Sequence, residues 1–161
     1  MPDLSVEERL KRLEDEAGLK KLINTYHKRA DAFDWAGWAE TFTEDAVFLL
    51  PNSFGTLRGR QTIHDVCKGN MDHVYDVFQH IMINLDFEVD GSDTATGTAN
   101  LIFTGLVDRA AQTKYYQSGG RYKWTFKRTP QGWRIAHAWL EFIWNNGADA
   151  DQVFKPAEEA A

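Results

Sequence analysis

Apolar residues recur at helical spacing along the first half of the chain and at strand spacing from about residue 78 onward. Val6, Leu10, Leu13 and Ala17 follow Ser5 and Glu8, which stand in capping-box spacing, so a helix is predicted to start there. Gly18 predicts a break. A second helical pattern then puts Leu19, Leu22, Ile23, Tyr26, Ala30 and Phe33 on one face. At about 100° per residue Asp31 falls on the flank of that face, toward water. "WAGWAETF" (35–42) predicts a short helix, "DAVFLL" (45–50) a strand ended by Pro51, and "GRQTIHDVCKGNMDHVYDVF" (59–78) a further helical region.

Four long strands are predicted after that, each closed by a turn signal. They are "QHIMINLDFEV" (79–89), "TATGTANLIFTGLV" (94–107), "TKYYQSGGRYKWTFKR" (113–128) and "WRIAHAWLEFIW" (133–144). Gly119 and Gly120, adjacent inside a strand, predict a bulge or a sharp bend. Helices followed by an antiparallel meander is an α+β order, and a strongly bent sheet wrapped over helices would leave a cavity at its open end. The expected division is a helical extension over 1–15, one domain over 16–146 and a small acidic tail over 147–161.

Composition narrows the function. The length of 161 residues suits one domain with one core. A net charge of -6 argues against phosphate backbones and anionic membrane surfaces as partners, so no nucleic acid and no membrane partner is expected. The lone Cys67 permits no intrachain disulfide, and the charged N-terminus has no apolar signal region, so a cytoplasmic protein is expected. Aromatic residues make up 13% of the chain, enough rigid surface for a core or a ligand cavity.

Few residues offer chemistry. The five histidines are scattered, with no metal-binding spacing, no nucleotide-binding glycine motif and no nucleophile elbow, so neither a metal nor an organic cofactor is expected. Strand alternation groups His80 with Met82, Asn84, Asp86 and Glu88, and puts Ile81, Ile83, Leu85, Phe87 and Val89 on the opposite face. His80 then reads either as a solvated strand-end histidine or as a general base, since imidazole takes and returns protons near neutral pH. A carboxylate beside it would fix its tautomer, and Asp31 is one candidate. His27, four residues before Asp31, reads as an ordinary helical pair with it. His137 reads as a satisfied sheet histidine, and Tyr122, Trp124 and Phe126 form a stripe that is either core or cavity wall.

Three blocks, "ADAFDWAGWAETFTEDAVF" (30–48), "HIMINLDFEVDGSDTATG" (80–97) and "GGRYKWTFKRTPQGWRI" (119–135), together resemble the SnoaL-like proteins of the nuclear-transport-factor-2-like superfamily. The resemblance is closest to the branch containing scytalone dehydratase, bile-acid 7α-dehydratase and hexachlorocyclohexane dehydrochlorinase. It implies a cone, in which a curved antiparallel sheet packs on N-terminal helices around an apolar cavity, with a homo-oligomer, trimer ahead of dimer, as the assembly. It also implies cofactor-independent proton abstraction from a hydrophobic small molecule by a dyad at Asp31 and His80, with Tyr26 assisting a carbonyl or leaving group. Phe48 and Tyr122 match cavity-wall positions, and Phe103 and Phe142 are expected to join them. Where the dehydrochlorinase carries a cation this chain has Ala138, and where the bile-acid enzyme carries a further acid it has Phe103. The activity implied is therefore a dehydratase-type lyase, with an isomerase or polyketide cyclase using the same dyad as one alternative. A non-catalytic small-molecule-binding protein, or one like a dioxygenase β subunit, is the other.

Overall fold

The computed structural model describes residues 4–51 and 53–147. Its first helix, α1 (Val6–Asp31), starts where the capping box predicts. Ser5 accepts from the Glu8 N–H at 3.2 Å, and the Glu8 carboxylate accepts from the Ser5 N–H at 2.7 Å. Contrary to expectation, Gly18 does not break it. The missing side chain lets Trp133 pack directly on the helix, since a Cβ there would lie 3.1 Å from the indole Cδ1, and that close approach offsets the poor helix propensity of glycine. The proposed boundary at 15/16 therefore falls inside one continuous helix, while all but the first residue of the expected tail lies outside the described residues.

Buried Asp15 anchors this helix to the sheet by an ion pair with Arg128 at 2.7 Å. Arg128 in turn lies over the Trp133 ring and bonds Asp93 at 3.0 Å. After α1 the chain turns through Phe33, at φ 57°, into α2 (Trp35–Ala39), whose first turn is capped by Asp34 accepting from the Gly37 N–H at 3.0 Å.

β1 (Phe42–Leu50) begins three residues before the strand predicted from sequence, and β2 (Gly55–Arg58), a four-residue strand that sequence pattern missed, pairs back on it. α3 (Arg60–Val74) stops short of the predicted end because Val77 and Phe78 already pair with Leu106 and Gly105 as the start of β3. The remaining strands are β3 (Val77–Glu88), β4 (Thr94–Leu106), β5 (Tyr115–Thr129) and β6 (Gly132–Gly147). Together they form one curved, unclosed sheet in the order β2-β1-β6-β5-β4-β3. The four strands predicted after residue 78 pair antiparallel as expected, and β1 joins β6 in parallel.

β3 corrects the alternation read from sequence. Between Ile83 and Asp86 the strand has one more residue than β4 opposite it, and Asn84 takes φ 55°. Such a bulge reverses the parity of the side chains that follow. Phe78, His80 and Met82 therefore face the core before it, and Leu85 and Phe87 after it. Ile81 and Ile83, which alternation grouped with Leu85 and Phe87, are instead 42% exposed on the outer face of the sheet. A shift in register at Gly119/Gly120 marks the bend predicted there.

Candidate active site

The inner face of the sheet, α1, α2 and α3 enclose an apolar cavity whose free space for the centre of a water-sized molecule is about 60 Å³. Tyr26, His80, Phe48, Phe103, Tyr122 and Phe142 all line it. Sequence reading missed Trp35 and Trp38, three apart on α2, and Cys67 and Met71, four apart on α3, which also line it. The spacing within each pair puts both side chains on one helical face, and that was the available signal. Burial holds the Cys67 thiol up at about 12, so it stays protonated and is no nucleophile.

His80 is held from several sides. The Asp31 carboxylate accepts from the ring Nδ1 at 2.7 Å and from the His80 backbone N–H at 3.1 and 3.2 Å. Asp31 is the last residue of α1, where the helix dipole disfavours a negative charge, and the two His80 donors offset that penalty. The flank position inferred from periodicity is thus corrected: the side chain is 25% exposed and turned to β3. Asp31 is not among the cavity-lining residues and reaches the cavity only through His80. Phe78 and Phe103 meet the imidazole edge to face, with ring centroids at 5.6 and 5.0 Å.

His27 does not pair with Asp31 as expected. Its buried ring stacks on His80, with centroids 5.8 Å apart and planes 24° apart. Burial first, and the neighbouring His80 second, push its pKa down to about 3, so the ring is neutral at any pH near 7. With the Asp31 carboxylate on Nδ1, the neutral His80 ring carries its proton there and presents Nε2 as a lone pair.

At another part of the cavity the hydroxyls of Tyr26 and Tyr122 lie 3.2 Å apart, both buried. Burial, and then the presence of Tyr122, raises the Tyr26 phenol well above its ordinary value. Burial raises Tyr122 as well, so both are neutral donors and acceptors. Trp124 stacks on the Tyr122 ring at 4.8 Å. Ala138 is buried in register with Phe48, so this part of the inner face carries no cation. His137 is exposed on the outer face, and His64 bonds Asp65 at 2.7 Å. Among the described residues no three His, Cys, Asp or Glu side chains gather in a way that could hold a metal ion.

The sequence profile described as the SnoaL-like domain matches residues 11–138. The chain belongs to the SnoaL-like family, within the nuclear-transport-factor-2-like superfamily. Solved structures agree on the fold. A nuclear-transport-factor-2-like protein with a cystatin-like fold from Novosphingobium aromaticivorans shares 27% identity, covering 93% of this chain and 95% of its own, at a TM-score of 0.66. A candidate scytalone dehydratase from the same species shares 14% identity over 94% of this chain and 98% of its own, at 0.78. Hexachlorocyclohexane dehydrochlorinase type 3 from Novosphingobium barchaimii shares 18% identity over 92% of this SnoaL-like chain and 99% of its own, at 0.76. No curated protein matches the chain in sequence. Among the described residues no helix is long and apolar enough to cross a membrane.

Proposed function

We propose that this SnoaL-like protein is a cofactor-independent lyase of the dehydratase type, acting on a hydrophobic cyclic small molecule. The observation that carries the reading is the Asp31 carboxylate closed on Nδ1 and the backbone N–H of His80, while the same imidazole lines an apolar cavity. In this reading His80 Nε2 takes a proton from carbon next to a carbonyl, and the C–H electron pair moves toward the carbonyl to form an enolate. Asp31 orients the imidazole and stabilises its cation. Tyr26 lies in the same cavity and serves the developing oxyanion. When the carbonyl re-forms, the C–O bond of a β-hydroxyl breaks, and that oxygen leaves as water with the proton from His80.

The first half of this sequence can be tested with a simple ketone. Deuterium uptake from deuterium oxide into β-tetralone, followed by NMR, should be faster with the protein than without it. His80→Ala should lower the enzymatic rate by about 100-fold or more, the usual scale of general base catalysis. Uptake by His80→Ala at the parent rate would reject the mechanism. Exchange without loss of water from any β-hydroxy ketone would favour the isomerase reading over the dehydratase.

A homo-oligomer, trimer ahead of dimer, is the assembly we propose, in a cytoplasmic protein. Ile81 and Trp144 support it, because they stand exposed on the outer face of the sheet in register across four strands, Ile81 with Ile102, Ile102 with Gly119 and Gly119 with Trp144.

A further inference from the structure

The first turns of α1 carry apolar residues that the domain does not cover. Val6 is 79% exposed, Leu13 63% and Leu10 53%, and Ala17, next along the same face, is exposed too. At about 100° per residue these residues fall within about 60° of one another. Asp15, Leu19, Leu22 and Ile23, buried residues that hold the helix to the domain, centre almost on the opposite side. The stripe therefore points away from the core, and a second helix can lie along it with each domain on the outside. The match to the SnoaL-like profile begins at residue 11, after Val6 and Leu10. Large apolar side chains left in water along one line mark a contact surface.

The charges beside the stripe say what covers it. Arg9 and Glu16 flank it on one side, and Glu14 and Lys21 on the other. All of these are exposed, and among the described residues none of their side chains enters an ion pair. When two copies of a helix pack in parallel about a two-fold axis, one flank of each meets the other flank of its partner about five residues on. Arg9 then faces the partner's Glu14, and Glu16 faces the partner's Lys21, so every contact joins opposite charges. In an antiparallel pair with Leu10 against the partner's Leu13, Arg9 would meet the partner's Glu16, but Glu14 would meet the partner's Glu7. The charges thus favour the parallel arrangement. Lys20 takes the next position of the seam and ends it, so the helices part there.

We infer that this stripe is a self-association surface, on which two copies of the chain pair α1 against α1 in parallel with Val6, Leu10, Leu13 and Ala17 as the seam. The inference goes beyond the proposed function and does not depend on it. It is also separate from the outer sheet face, because α1 packs on the inner side of the sheet and its stripe points away from it. A seam of about two heptads is short, so the contact is weak, although α1 is already held in helical form by its buried face.

Disulfide trapping in the full chain tests a weak contact of this kind. Cys67 is buried and the chain has no other cysteine, so Leu13→Cys supplies one accessible thiol where parallel copies bring identical residues together. Mild oxidation should link it into dimers. Adding Leu10→Glu, or adding Arg9→Glu to set like charges against each other on both sides of the seam, should slow linking by at least ~5-fold. Arg9→Glu together with Glu14→Arg puts opposite charges back on both sides only in the parallel register, and should restore the rate. A rate that Leu10→Glu leaves unchanged would reflect chance collision and overturn the pairing. Linking that stays slow in the charge-swapped variant would overturn it too. So would binding of the parent to neutral phosphatidylcholine vesicles without self-linking, which would give the stripe to a lipid surface.

Discussion

Asp31→Asn separates what the carboxylate does for the fold from what it does for chemistry. In the parent one carboxylate accepts from two His80 groups, the ring Nδ1–H and the backbone N–H. Asparagine keeps one carbonyl oxygen, which can still accept from both donors as Asp31 Oδ1 does, but it carries no charge and puts an NH2 group in place of the second oxygen. Hydrogen bonds to charged groups contribute about 1.5–3 kcal/mol and neutral ones about 1, so removing the charge from these bonds should cost roughly 1–2 kcal/mol. The partial exposure of Asp31 favours the lower end. The cost for chemistry is larger. A neutral amide no longer stabilises the imidazolium that proton abstraction creates, and where its NH2 group faces the ring it also favours the tautomer with its proton on Nε2, which removes the lone pair from the cavity. Exchange of deuterium into β-tetralone should therefore fall by at least ~100-fold, while urea denaturation shows a loss of only about 1–2 kcal/mol. An Asp31→Asn protein that exchanges at the parent rate would refute the reasoning.

Three further outcomes follow from the geometry. The neutral His27 has a folded pKa of about 3 against an unfolded value of about 6.5, so the unfolded chain binds the extra proton between those values. Stability should fall as pH drops through that window, by up to ~1.4 kcal/mol per pH unit from this group, and urea titrations of His27→Phe should show a shallower fall than the parent; an identical slope would contradict a buried neutral His27. In the N-terminal half of α1, Arg128→Ala leaves the 5% exposed Asp15 carboxylate without its cation and should cost about 3 kcal/mol, whereas Asp15→Asn leaves Arg128 with Asp93 and should cost closer to 1. Equal losses in thermal or urea unfolding would mean that Asp15 is not relying on that pair. On the outer face, Trp144→Glu should lower the mass seen in light scattering to that of a monomer if the sheet faces carry the oligomer, and an unchanged assembly would move the interface elsewhere.

Much of the site was legible in the sequence, but for different reasons at different residues. The capping box at Ser5 and Glu8 is a local signal and located the helix start without tertiary information. His80, Tyr26 and the four cavity-wall aromatics came through resemblance to the family, and the structure gathers them around one cavity. Periodicity alone failed wherever a tertiary contact overrode a local preference. Gly18 looked like a stop because its packing against Trp133 is made by a residue more than a hundred positions away. Asp31 looked solvated because a helical wheel has no knowledge of the strand crossing the helix end. Ile81 and Ile83 were grouped with Leu85 and Phe87 because the extra residue at Asn84, which reverses the phase of β3, leaves no mark in alternation until the partner strand is known. His27 was read as a helical pair with Asp31 for want of the same information about His80.

The account depends on His80 presenting a lone pair at Nε2 while Asp31 holds the proton on Nδ1. Long-range proton–nitrogen NMR of the imidazoles reads this directly, in the spectrum of the neutral ring. His80 should show the pyrrole-type nitrogen at Nδ1 and the pyridine-type nitrogen at Nε2, and Asp31→Asn should shift the population toward the other tautomer. A parent ring protonated on Nε2 would have no lone pair to take a proton from a ligand in this cavity, and would contradict the central claim.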